Sequence, residues 1–249
     1  MDPGGTILFR WCSRCGSLRI ASWDSRCRRW AATYTQREDF LAAASHLKEA
    51  MRIGQQIRDP WTISDAKITL ALLDLFLGRL HEARRGFEEA AADYVAVGLP
   101  LMALYSLSWA GECCVMEGSL EGFKRIVAAF DGPKLARISK VHPVYLRILQ
   151  GFDRLVEGDP RGAQSSFEEA LRITGKVPTH SVWAFLNTPR VHFSYSAALR
   201  VMGREREATD HMERYLELLK AIHFTAALSS AAAREQLLVK GLRQMLERP

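Results

Sequence analysis

Cys12-Ser13-Arg14-Cys15, followed by Cys27, is the pattern in this 249-residue sequence that comes nearest to a chemical site. Two thiolates separated by two residues can hold one edge of a tetrahedral zinc ion, but a structural zinc site needs four ligands, usually in two pairs. No second pair follows, and His46 could complete the set only by folding back from a later segment, so neither a metal nor any other cofactor is expected. The histidines, at His46, His81, His142, His180, His192, His211 and His223, show no ligand spacing. His81 and His211 stand among charged residues and read as solvated, whereas His192 could face a groove. No Ser-His-Asp order, nucleophile elbow or phosphate-binding loop is present. The acidic pairs Glu88-Glu89 and Glu168-Glu169 each follow a phenylalanine and fall on the outward face of a helix. The residues give catalysis no support, and the chain is not expected to be an enzyme.

The elements that carry these residues read as helices. Hydrophobic residues make up 48% of the chain and charged residues 25%, the balance of an ordinary globular core with a solvated surface. Sustained apolar–polar alternation is missing, and Asp131-Gly132 lies between helical patterns rather than between β-branched runs. The net charge of +6 is concentrated at the start. Residues 1–30 carry Arg10, Arg14, Arg19, Arg26, Arg28 and Arg29 against Asp2 and Asp24, a net of +4, which leaves +2 for the rest. A nearly neutral body argues against a nucleic-acid surface, and residues 1–22 read as a basic lead-in. An odd count of five cysteines does not make a disulfide framework, and adjacent Cys113 and Cys114 read as small buried residues, which suits a reducing cytoplasm. Residues 94–111 are free of charge, yet Gly98 and Pro100 interrupt them, so a buried junction between helices is expected rather than a membrane span.

A fixed period organises those helices. Gly78 opens the pattern G-x4-A-x3-F-E-E-A with Ala83, Phe87 and Ala90, and Gly158 opens it again with Ala163, Phe167 and Ala170. Midway, Gly118 precedes Phe123, Val127 and Phe130. One period upstream Glu38 precedes Ala43, Leu47 and Ala50, and Gly203 later precedes Ala208, Met212 and Tyr215. The anchors at 38, 78, 118, 158 and 203 are 40, 40, 40 and 45 residues apart. A glycine can take positive φ and close one helix. Small and large residues four and three apart then line one face of the next. Gly158-Asp159-Pro160 carries the full stop-and-start signal, and Thr188-Pro189 reads as the opening of the fifth unit's first helix. Upstream of each anchor a large residue stands beside a small one, as in Leu70-Ala71, Trp109-Ala110 and Tyr195-Ser196.

This combination resembles the tetratricopeptide repeat family, in its large–small pair, turn glycine, and Ala–aromatic–Ala second helix. The family's usual repeat is 34 residues, so the units here carry longer helices, as in the arms of large bacterial regulators. The resemblance implies an all-α, right-handed superhelical solenoid of about five helix pairs over residues 23–223, with residues 224–249 as a terminal helix bearing Leu228, Ala231, Leu238, Leu242 and Leu246. That helix would cap the array, with docking or dimerisation as its alternative role. The resemblance also implies that first helices line a concave face. Counting from the anchors puts there Arg28, Asp65, Ile68, Leu72, Tyr105, Ser108, Glu112, Tyr145, Ile148, Phe152, Arg190, Phe193 and Arg200. Aromatics with isolated charges suit a peptide or an amphipathic helix, so the expected partner is a protein segment, with no nucleic acid and no membrane. Binding of a small effector within a bacterial signalling or transcription regulator is the alternative.

Overall fold

The computed structural model describes residues 40–130, 135, 144–175, 182–221 and 225–247. The secondary structure of those residues is helical: α1 (Phe40–Gln56), α2 (Pro60–Phe76), α3 (Leu80–Ala96), α4 (Pro100–Met116), α5 (Leu120–Phe130), α6 (Val144–Val156), α7 (Pro160–Gly175), α8 (Val182–Val201), α9 (Glu205–Ala221), α10 (Thr225–Ser229) and α11 (Ala231–Leu246). Helices adjacent in sequence pack together from α1 to α5 and from α6 to α9, an all-α, repeat-like arrangement. Among the described residues no helix is long and apolar enough to cross a membrane, and the uncharged run at 94–111 is broken between α3 and α4.

One turn geometry sets the pitch. Gly78, Gly98, Gly118, Gly158 and Gly203 have φ of 76°, 75°, 66°, 79° and 76°. After each, the next N–H reaches the carbonyl five residues back, as from Arg79 to Asp74 at 2.9 Å and from Asp159 to Arg154 at 2.8 Å. This closes the helix by satisfying a carbonyl left over in its last turn. Arg58 makes the same turn without being glycine, at φ 54°, with Asp59 N–H donating to the Gly54 carbonyl at 2.9 Å. Turns at 58, 78 and 98 join four helices of 17 residues, so two such helices and their turns make up the 40-residue period. The starts match: Asp59 accepts from Trp61 N–H at 3.2 Å before Pro60, and Asp159 accepts from Gly162 N–H at 2.8 Å across Pro160.

The repeated residues form the core. Ala83, Phe87, Ala90, Ala163, Phe167 and Ala170 are fully buried. Phe87 stacks on Trp109 with centroids 6.1 Å apart, and Phe167 on Tyr195 at 5.1 Å, so the second-helix phenylalanine of one unit lies against the large first-helix residue of the next. The small partners are needed for the approach, since a Cβ on Gly151 would stand 2.5 Å from the Phe167 ring.

Several expectations need correction. Pro189 lies inside α8, which starts at Val182; the helix runs through it at the loss of one backbone hydrogen bond. In α5 the inward residue between Phe123 and Phe130 is Ile126, three positions on, and Val127 is only half-buried. The terminal segment divides into α10 and α11, and Met245 turns inward while Leu246 is 38% exposed. Ala231, Arg234, Glu235, Leu238, Gly241, Leu242 and Met245, spaced three and four apart, form the buried face of α11. That face packs on α4 and α8, and to a smaller extent on α6, the first helices of three units. It meets α4 near its end, where a Cβ on Gly241 would fall 1.7 Å from the Val115 carbonyl oxygen.

Candidate functional site

Helix α4 is uncharged except for Glu112, and α8 carries a polar stripe, Asn187, Arg190 and Ser194, at spacings of three and four. The fold brings the two together. Arg190 Nε donates to Glu112 Oε1 at 2.7 Å, Arg190 Nη1 donates to Ser108 Oγ at 2.7 Å, and Ser194 Oγ donates to Glu112 Oε1 at 3.2 Å. The ion pair is buried, its side chains 2% and 0% exposed. The guanidinium lies 3.9 Å above the Trp109 ring, which also meets the rings of Phe87 and Tyr105. Asn187 donates to the Tyr145 hydroxyl at 3.5 Å, and the Tyr145 and Tyr105 rings lie 5.7 Å apart. Burial raises the Tyr145 hydroxyl well above its ordinary range, with the neighbouring Tyr105 adding to the shift. Arg190 Nη2, Glu112 Oε2 and Trp109 Nε1 are buried without a hydrogen-bond partner.

Five of the predicted concave residues, Tyr105, Ser108, Glu112, Tyr145 and Arg190, therefore converge on one cluster. Of these only Tyr105 is partly exposed. Phe152 is buried 5.4 Å from the Phe167 ring, Ile68 and Ile148 are buried, and Phe193 lies 5.0 Å from Tyr215. Asp65 and Leu72 are half-exposed on α2. Arg200 is half-buried and binds Glu235 of α11 at 2.8 Å and Glu205 at 2.6 Å. Arg28 and the cysteines at 12, 15 and 27 lie outside the described residues.

The α11 side of this face was not foreseen. Glu235 accepts from Ser196 and Arg200 of α8. Arg234 donates to the Tyr215 hydroxyl and to the Ala227 carbonyl, and its guanidinium stands 4.7 Å from the Phe193 ring and 5.0 Å from Phe76. Two acids or bases on the apolar stripe of α11, and one acid in the apolar helix α4, were the available signals, because a charge in such a place needs a partner. Beside α11 an open cleft of about 640 Å³ is lined by Arg200, Glu235, Gln236, Val239, Lys240, Arg243, Gln244 and Glu247.

His211 is not the solvated residue that its neighbours suggest. It is half-buried, with Nδ1 2.8 Å from Nδ1 of His192 and its ring 4.5 Å from Tyr195. Burial lowers both, His192 to about 4, so the pair is neutral near pH 7 and one ring donates to the other. Cys113 and Cys114 are buried, and burial pushes the Cys113 thiol far up and that of Cys114 up to about 12, which leaves them unreactive. Among the described residues no group of three or more His, Cys, Asp or Glu is placed to hold a metal ion. No family model matches the chain, and no curated protein is detectably similar to it.

Proposed function

We propose that this chain is a protein-interaction module of the tetratricopeptide type, a right-handed superhelix of helix pairs working in the cytoplasm as a scaffold or regulatory arm. Its first helices receive a peptide or amphipathic helix of a partner protein. The observation that carries this reading is α11, an amphipathic helix laid by its Ala231–Met245 stripe across α4, α6 and α8. A face that accommodates one such helix supports helix-in-groove recognition as its mode of binding.

The test places a photo-crosslinking residue at Asp65 or Tyr105, half-exposed on first helices, and at Arg85, exposed on a second helix. In the full chain, a partner should be trapped from positions 65 and 105 and not from 85. Equal trapping at all three, or trapping at 85 alone, would overturn the reading.

The buried polar cluster favours one second reading, an effector-sensing module. Arg190 Nη2, Glu112 Oε2 and Trp109 Nε1 offer donors and an acceptor that a small polar molecule could satisfy. Stabilisation of the full chain by a metabolite fraction, lost in Arg190→Lys, would favour it over the first.

A further inference from the structure

The cleft beside α11 has a composition that selects its occupant. Gln236, Lys240, Arg243 and Glu247 follow one another at three- and four-residue steps, with Val239 next to Lys240 and four residues before Arg243, so they share one face of α11 and form one side of the cleft, with Arg200 of α8 also lining it. The carboxylates on this side divide unevenly among the cations. Arg200 is engaged by Glu235 and Glu205, whereas neither Lys240 nor Arg243 pairs with a carboxylate among the described residues. Both are exposed, while Val239 between them and Gln236 is half-buried. Two free cations stand about one helical turn apart, roughly 5 Å along the axis, next to an apolar contact in a concavity.

We propose that this cleft docks an acidic peptide segment, with Lys240 and Arg243 each taking a side-chain carboxylate and Val239, beside Lys240, taking an apolar residue next to them. The proposal rests on the reading of the chain as an interaction module and gives that module's partner a chemistry. Charge complementarity chooses the occupant, since Arg200 and Glu235 pair with each other and the two remaining cations, Lys240 and Arg243, outnumber the one remaining carboxylate of the lining, Glu247. The acids Glu235 and Glu247 lining the same cleft would repel a continuous polyphosphate, so a nucleic-acid backbone fits less well than a peptide whose carboxylates sit at discrete positions. The cleft is open, which suits a segment lying along it better than an enclosed small molecule. Arg200, one of the residues assigned to the concave face from the sequence, connects this site to the first-helix face.

The test uses the full chain and a fluorescein-labelled helical peptide carrying two glutamates one turn apart beside a leucine, with a glutamine-substituted copy and a lysine-substituted copy as comparisons. Wild type should bind the glutamate peptide in preference to both, with affinity falling as salt rises. Lys240→Glu with Arg243→Glu should weaken that binding about tenfold or more and bind the lysine peptide instead. Both positions are exposed, so the variant should unfold at the wild-type temperature, and Val239→Ser, which keeps the charges, should weaken binding by a smaller factor. Equal binding of the glutamate peptide by wild type and the double variant would overturn the proposal. So would equal binding of heparin, duplex DNA or anionic vesicles, which would reveal unselective attraction. If the double variant leaves trapping at Asp65 and Tyr105 intact, this docking site fails and the interaction module stands. If no position traps a partner, the module itself fails.

Discussion

Arg190 and Glu112 meet in the interior from positions 78 residues apart, and the balance of that pair is set by what surrounds it. The 2.7 Å contact, two serine hydroxyls and the Trp109 face offset the desolvation of two charges, although one atom of each remains without a hydrogen bond. Glu112→Gln or Arg190→Met alone should each destabilise by about 3–5 kcal/mol, because each strands the opposite charge. Replacing both, Glu112→Leu with Arg190→Met, should recover much of that loss, and a double-mutant cycle from urea unfolding measures the coupling. The histidine pair gives a second residue-scale expectation. The folded-state His192 value near 4 lies below its unfolded value near 6.5, so between those pH values the unfolded chain binds more protons. Stability should therefore decline as pH falls from about 6.5 toward 4, by on the order of 1–2 kcal/mol once partial exposure is allowed for, and His192→Asn with His211→Asn should flatten that slope in thermal melts. The cluster was half legible in the sequence. Counting along first helices named Ser108, Glu112, Tyr145 and Arg190, but not that they face one another, because partners drawn from α4 and α8 are joined by tertiary packing rather than by local spacing.

At the scale of elements the sequence was most informative where backbone geometry admits few residue types. Glycine at positive φ marked every anchor turn from Gly78 to Gly203, and aspartate before proline marked the start of α7. Arg58 escaped because a non-glycine residue occupies the same left-handed geometry there. An L-residue in that region bears a strain of about 1–2 kcal/mol, partly offset by the greater chain entropy lost by glycine. Arg58→Gly should accordingly stabilise the α1–α2 junction, raising the unfolding free energy by up to about 1 kcal/mol in denaturant titration. Pro189 escaped for the opposite reason, as a residue that usually begins a helix but is carried here within one. Leu246 and Met245 exchanged roles because a shift of one position turns a helical side chain by about 100°, and only the packing of α11 on α4 and α8 fixes which of the two is covered.

At the scale of the whole molecule, helix pairs that touch only their neighbours would give a stability that is nearly a sum of units and interfaces. This chain departs from that in two places. Arg190 and Ser194 reach past α6 to Glu112 on α4, and α11 ties the ends of α4 and α8 together with the Gly241 backbone against Val115. The period itself was readable from glycine and alanine spacing, whereas these ties were not, since a repeat announces what is the same in each unit and the ties are made by what differs. The buried pair has a further consequence for descent. An array held only by neighbour contacts can gain or lose a unit by duplication or deletion and remain sound. Here an extra 40-residue unit inserted between α4 and α8 would part Glu112 from Arg190 and leave each charge buried alone. The ion pair thus acts as a counter, fixing how many units can stand between its two ends.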